Sequence, residues 1–272
     1  MADQALLLLP GMTLNASVFP DFGLPAVGVD FTRLVVSPDG WSAELATKGM
    51  GFYVERLRER LRAEPVWTGA RRRVVVAHSF GGFLALAWQA AAGAGTDPLG
   101  RIDGLVLMGT SAGPLYDAVR LRLVGGTRWA LRMPVGTWMR VWNNVAVTRL
   151  VDAVTRQGGP LREVDFQRLR SRSDLAVGLA GWRNTDWRAR RSFRFAMAGF
   201  DVRERLPAIT APAIVLHGPR DVFFPLEVAR DLARRLPRAE LRIVPGAAHA
   251  LPLTHGAELV RAVRDLLSGG VK

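Results

Sequence analysis

The chain has 272 residues, 49% of them hydrophobic and 22% charged, with no cysteine and a net charge of +13. That is apolar material for one large α/β domain or two small ones, and too much for a disordered chain. The absence of cysteine excludes disulfides, thiolate metal sites and a cysteine nucleophile, and it suits a reducing, cytoplasmic setting. The basic excess is concentrated: Ser111–Arg205 holds 18 Arg against 8 acidic residues, a net of +10, leaving +3 for the remainder. Arg outnumbers Lys 35 to 2, a bias that a GC-rich coding background alone produces.

Met1-Ala2-Asp3-Gln4 is acidic, and the apolar run Ala5–Leu9 stops at Pro10-Gly11, so this end does not read as an export signal. Further strand-like runs follow at Leu34–Ser37, Arg73–His78, Gly104–Met108, Ala213–His217 and Leu241–Val244. All but the last are nearly continuous in apolar residues, as expected of strands covered on both faces. Helical patterns lie between them at Gly51–Ala63, Phe80–Ala92, Pro225–Leu236 and Gly256–Leu267. The uncharged stretch Val74–Gly95 is long enough for a membrane span, but its His, Ser and Gly residues divide it into a strand and a buried helix. The expected fold is therefore α/β, with a mostly parallel central sheet and helices on both faces.

One interval breaks the alternation. Ser111–Leu206 offers helical patterns, punctuated by Gly and Pro, and carries five of the eight tryptophans: Trp129, Trp138, Trp142, Trp182 and Trp187. The expected organisation is a core in two parts, residues 1–110 and 207–272, with a helical insertion at 111–206.

The strongest chemical signal is Ala77-His78-Ser79-Phe80-Gly81-Gly82, between a strand and a helix. A serine on such a sharp turn is a nucleophile elbow: small neighbours let the strand and helix backbones approach, and the hydroxyl stands clear of the sheet. The competing reading is a serine that merely caps the helix. A serine nucleophile needs a base, and the base an orienting carboxylate. Asp221, in Gly218-Pro219-Arg220-Asp221, follows a strand on the edge where parallel sheets present ligand groups; the bland alternative is a loop or capping aspartate. The base is expected to be His249, in the small-residue loop Pro245–Ala250. His78 suits packing, His217 a core position, and His255 a helix start. Backbone donors for an oxyanion are expected at Met12, in the loop after the first strand, and at Phe80. No metal-ligand spacing occurs, and no cofactor or metal is expected.

With these landmarks the sequence resembles the α/β-hydrolase superfamily over nearly its whole length. They are Leu9-Pro10-Gly11-Met12, Ala77–Gly82, Phe200-Asp201-Val202-Arg203 ahead of Ala211-Pro212, Gly218–Asp221 with Pro225, and Gly246–His249. The resemblance implies Ser79 as nucleophile, His249 as base, Asp221 as its partner, and Met12 with Phe80 as oxyanion donors. It differs from most members in having Pro10-Gly11 where they have His-Gly. The stretches Leu6–Phe19 and Ala247–Glu258 look most like carboxylesterases of the pimeloyl-carrier-protein methyl ester type. By the same resemblance, 111–206 is a cap over the active site.

The expected activity is thus a serine hydrolase of esters or thioesters, working through an acyl-enzyme. Other chemistry on the same three residues, namely carbon–carbon cleavage, lactone opening or acyl transfer, is the alternative, as is a non-catalytic binding protein. The expected partner is a small-molecule acyl substrate, anionic or carried by an acidic acyl carrier protein, which the Arg-rich insertion would suit. A solvated helix face is the bland account of those arginines. A membrane surface ranks lower and nucleic acid last, since the basic region has no recognisable binding module.

Overall fold

The structure is a computed structural model, and it describes residues 3–31, 34, 48–92, 102–114, 164–172 and 174–270. Its strands are β1 (Gln4–Leu9), β2 (Ala26–Gly28), β3 (Arg72–His78), β4 (Gly104–Met108), β5 (Ala213–His217) and β6 (Ala239–Ile243). The helices are α1 (Met50–Arg62), α2 (Pro65–Thr68), α3 (Phe80–Ala92), α4 (Asp174–Arg183), α5 (Trp187–Ala198), α6 (Leu226–Arg235), α7 (Leu251–Thr254) and α8 (Gly256–Ser268).

The strands form one parallel sheet in the order β2-β1-β3-β4-β5-β6. Alternating side chains feed two separate apolar layers, as the period of a strand requires. Leu7, Leu9, Val75, Ala77, Leu105, Leu107 and Val215 pack with α1, α3 and α6. Leu6, Leu8, Val74, Val76, Val106, Met108 and Leu216 pack on the opposite face with Leu259, Val263 and Leu266 of α8. This double burial explains why these strands read as unbroken apolar runs. The outer strand β6 is more polar, and Arg242 on it pairs with Glu240 at 2.8 Å and with Asp265 of α8 at 2.5 Å. A charged edge of this kind discourages pairing with another sheet.

One expected strand is corrected. Leu34 is not extended: its N–H bonds to the Asp30 carbonyl at 3.0 Å, a helical turn, and residues 35–37 lie outside those described. The strand beside β1 is instead the three-residue β2, in register Leu7 to Val27. Of the insertion expected at 111–206, residues 115–163 and 173 lie outside the described residues, and with them Trp129, Trp138 and Trp142. Its described part contains α4, α5 and two 3-10 turns, Phe166–Leu169 and Arg203–Ala208, the second running just past the insertion's end. Among the described residues, no helix is long and apolar enough to cross a membrane.

The chain runs from β1 outward to β2 and returns on the other side of β1 as β3. At such a reversal the loops beyond the strand ends diverge and leave a crevice. Here those loops are Pro10–Thr13 and Ser79, and α3 begins immediately after the latter. Gly81 lets α3 start so close: a Cβ there would stand 2.1 Å from the Leu9 carbonyl oxygen. Gly81→Ala should therefore cost about 3 kcal/mol, the upper end for overpacking, because backbone must move against backbone. Gly51→Ala on α1, where a Cβ meets open space, should instead gain up to about 1 kcal/mol. Urea unfolding of the two variants beside wild type checks both signs.

Candidate active site

All six parallel strands end at one edge of the sheet, and the sequence-expected residues stand just beyond three of them. Ser79 follows β3 with φ +51°, the one positive φ outside glycine among the described residues. A side chain in that region is strained and persists only where its surroundings hold it. Here the Ser79 N–H donates to the Met108 carbonyl at 2.9 Å, and its own carbonyl accepts from the N–H of Gly82 at 2.9 Å. The turn thus completes strand bonding on one side and starts α3 on the other. Gly82 also needs its missing side chain, since a Cβ would lie 2.5 Å from Thr110 Oγ1.

Asp221 follows β5 and is 2% exposed. Its Oδ1 accepts from the N–H groups of Phe223 at 2.8 Å and Phe224 at 3.0 Å. Its Oδ2 accepts from Nδ1 of His249 at 2.9 Å. Burial alone would raise the acid. The positive charge available to His249, its hydrogen bond and the two N–H groups outweigh that, holding the carboxyl down to about 2. His249 follows β6, half-buried, with Nδ1 engaged and Nε2 on the other side of the ring. Its ring is set by aromatic neighbours: Phe224 stacks on it at 5.7 Å and 24°, and Phe223 meets it edge-on at 4.8 Å and 61°.

The elbow joins this pair through shared neighbours. Gly109, directly after the carbonyl that binds the Ser79 N–H, has φ +50°, and a Cβ there would be 2.9 Å from His249 Nδ1 and 3.2 Å from Asp221 Oδ2. His78, directly before Ser79, is 1% exposed and hydrogen-bonds through Nε2 to the His249 carbonyl at 2.8 Å. Within the trio, the hydrogen bond formed among the described residues is His249 to Asp221, and Ser79 joins them by position.

The loop expected to supply an oxyanion donor lies against the elbow. Gly11 comes close enough that its Cβ would be 3.5 Å from that of Ser79, and the Pro10 carbonyl accepts from the Gly81 N–H at 3.0 Å. Met12 follows, half-buried against the apolar layer of α1 and α3, and Phe80 heads α3 with its side chain fully buried. Of the rival histidines, His217 is buried at the end of β5 and His255 occupies the N-cap of α8, its Nδ1 2.8 Å from Thr254 Oγ1. Among the described residues, no three His, Asp or Glu side chains gather to hold a metal ion.

The described residues between 164 and 206 reach this site. Gly181 of α4 abuts the Thr13 carbonyl, where a Cβ would come to 2.4 Å. Phe193 of α5 packs on Phe80 at 4.9 Å, and Ser192 shares a hydroxyl hydrogen bond with Tyr53 of α1. On α5, Arg190 is 1% and Arg194 6% exposed, and both lie over the Trp182 ring, at 4.4 and 5.5 Å. Burial, then the charge of Arg194, pulls Arg190 down to about 10. Sequence reasoning missed Gly109, Phe223, Phe224 and Phe193. The aromatic pair right after Asp221 was a visible signal; Phe193 carried none.

A family model described as "Alpha/beta hydrolase family" matches residues 6–262. The chain is similar to a putative non-heme chloroperoxidase of Synechocystis sp., 38% identical over 60 residues, 22% of each chain. It is also similar to a pimeloyl-[acyl-carrier protein] methyl ester esterase of Vibrio atlanticus, 41% identical over 54 residues, 20% of this chain and 21% of that one. The matched stretch thus spans about a fifth of the length of these curated relatives. Solved structures are similar over almost the whole chain. An esterase from Thermogutta terrifontis gives a TM-score of 0.63 at 17% identity, covering 98% of this chain and 90% of that one. MenH from S. aureus gives 0.64 at 16%, covering 99% and 95%. At such identities the likeness is one of fold. With the family model spanning all six strands and the three loops of the site, the chain belongs to the alpha/beta hydrolase family.

Proposed function

We propose that the protein is a serine hydrolase cleaving a carboxylic ester or thioester through an acyl-enzyme. The observation that carries this reading is the buried His249–Asp221 hydrogen bond beside a serine held at positive φ. With Nδ1–H committed to Asp221, the lone pair of His249 is on Nε2, the nitrogen that would take the Ser79 proton. Ser79 Oγ attacks the carbonyl carbon as that proton leaves, and the backbone N–H groups of Met12 and Phe80 hold the oxyanion. The proton then passes from His249 to the departing alcohol or thiol. Water repeats the sequence on the acyl-enzyme, releasing the acid and restoring Ser79. Asp221 stays ionised throughout and fixes the imidazole; its low pKa keeps it from taking the proton itself.

The domain organisation belongs to the same proposal: residues 1–110 and 207–272 form the core, and 111–206 a cap. Support comes from its two ends, tied where the Val202 N–H donates to the Ala112 carbonyl at 2.8 Å, and from the contacts of Gly181 and Phe193. A cytoplasmic setting is supported by the lack of cysteine. The substrate is proposed to be anionic, either a carboxylated acyl group or one borne on an acidic carrier protein. The basic excess of Ser111–Arg205, 18 Arg against 8 acidic residues, supports this, since such a segment complements a negative partner. The name of the esterase similar over residues of this chain, which acts on a carrier-protein ester, points the same way.

Ser79→Ala should lower hydrolysis of a short p-nitrophenyl ester by several orders of magnitude and abolish covalent labelling by a fluorophosphonate. Undiminished turnover would refute the assignment, and product analysis across esters, thioesters and β-diketones separates hydrolysis from other chemistry on the same residues. The pH dependence has a definite sign. The Asp221 pair stabilises the fold above its ordinary 3.8 and is lost as pH falls toward 2. An acid limb of kcat/KM seen above pH 4 should then be a one-proton event of the working site, without loss of near-ultraviolet circular dichroism. For the anionic substrate, kcat/KM should fall as salt rises from 0.02 to 0.5 M, roughly in step with screening, while a neutral ester of equal length stays level. Parallel curves for the two esters would remove the charge argument.

A further inference from the structure

We propose that His78 is a positioning residue: seated between the loop of the base and the Pro10–Thr13 loop, it holds the former to the nucleophile elbow. The proposal rests on the serine-hydrolase reading and assigns a role to a histidine that reading leaves idle.

The His78 ring sits between the two loops. On one side Nε2 is 2.8 Å from the carbonyl of His249 itself, so Nε2 carries the hydrogen and donates it. On the other side Nδ1, buried and without a hydrogen-bond partner, lies 3.4 Å from where a Gly11 Cβ would be. The two imidazoles, His78 and His249, face each other at 4.8 Å between centroids and 47° between planes.

The base loop is already held at Ala247, whose methyl is buried and whose carbonyl accepts from the Arg220 N–H at 3.0 Å; the bond from His78 adds a second anchor, at His249 itself. One hydrogen bond placed on the carbonyl of His249 fixes the very residue whose ring must meet Ser79. Because the donor is attached one residue before Ser79, the two reacting groups are referenced to the same point of β3. Misplacement of reacting groups by about 1 Å costs on the order of a hundredfold in rate, which is the scale on which such an anchor acts.

The clamp also has to stay neutral. The groups facing His78 are the imidazole of His249, from the loop after β6, and the carboxylate of Asp221, from the loop after β5. Burial, then the charge of His249, lowers His78 to about 3, against a hydrogen bond to the His249 carbonyl and the attraction of Asp221, which raise it. A neutral ring neither repels the imidazolium that forms on His249 nor competes for the serine proton. Its folded pKa lies below the ordinary 6.5. This contribution to stability is therefore complete above pH 6.5 and declines as pH falls from there toward 3.

Three variants test the clamp: His78→Phe keeps the volume without the donor, His78→Gln returns an amide N–H near the Nε2 position, and His78→Asn carries an amide that falls short of it. The readouts are kcat and KM on a short p-nitrophenyl ester from pH 5 to 9, and the rate of fluorophosphonate labelling per folded molecule. His78→Phe should lower kcat and the labelling rate about tenfold to a hundredfold, with KM within about twofold and the acid limb of the profile displaced. His78→Gln should recover to within about threefold of wild type, and His78→Asn should not. The melting temperature of His78→Gln should also decline less than that of wild type between pH 6.5 and 4.5. Should His78→Phe fail to fold, the Gln and Asn variants decide, and equal rates for those two overturn the proposal. So does a His78→Phe enzyme within twofold of wild type in kcat with an unmoved pH profile. A wild type inert to both ester and probe would overturn the hydrolase reading and this one with it, whereas an active wild type beside an indifferent His78→Phe overturns the clamp alone.

Discussion

Everything at the site depends on how closely α3 approaches the end of β1. With hydrogen in place of a side chain at Gly81 and Gly82, the helix starts against the Leu9 carbonyl and Thr110. The chain must then pass from strand to helix through a single residue, and that residue, Ser79, takes a left-handed conformation. Such a conformation costs roughly 1–2 kcal/mol for a side chain larger than glycine. It is held by backbone bonds to both neighbouring strand ends, Ser79 to Met108 and Gly81 to Pro10. The strain is thus a consequence of packing that the rest of the fold already pins, and it projects the one side chain that has to leave the sheet. A residue with a larger neighbour would relax into an ordinary turn and carry the hydroxyl back toward the backbone.

The second constraint is electrostatic. A carboxylate 2% exposed is costly unless every acceptor position is answered. Asp221 meets this with two backbone N–H groups on one oxygen and an imidazole on the other. The N–H groups belong to Phe223 and Phe224, whose rings in turn confine the imidazole. One four-residue loop therefore fixes the acid, neutralises it and orients its partner. Gly109 completes the enclosure from β4, since any side chain there would collide with the histidine. Parallel strands make this economical in chain length: β3, β4, β5 and β6 deliver their successors to the same edge, so three residues far apart in sequence need only short loops to converge.

How much of this was legible follows from the same physics. Strands buried on both faces show as apolar runs, so β1, β3, β4 and β5 stood out to within a residue. β2 did not, because three residues, Ala26-Val27-Gly28, are too few for any period; its pairing is decided by β1 beside it. Leu34–Ser37 was apolar enough to suggest a strand, yet Leu34 lies in a helical turn closed on Asp30, a local bond that apolar pattern does not report. That Ser79, Asp221 and His249 would gather at one edge of the sheet was legible because each follows a recognisable strand. The residues that support them were not. Gly109 reads as an ordinary loop glycine, Phe193 as one apolar residue in a basic helix, and His78 as packing, until the fold sets them against the site.

The Arg-rich segment shows the limit of reading charge from composition. Its excess of +10 suggests a basic surface, but two of its arginines are interior, stacked on Trp182. Neither stands apart from the core: Ala189, Phe193, Ala196 and Met197 of the same helix belong to the apolar layer built on α1 and α3. The helix that holds those charges is therefore tied to the elbow through Phe193 and Phe80, and cannot shift without disturbing the start of α3.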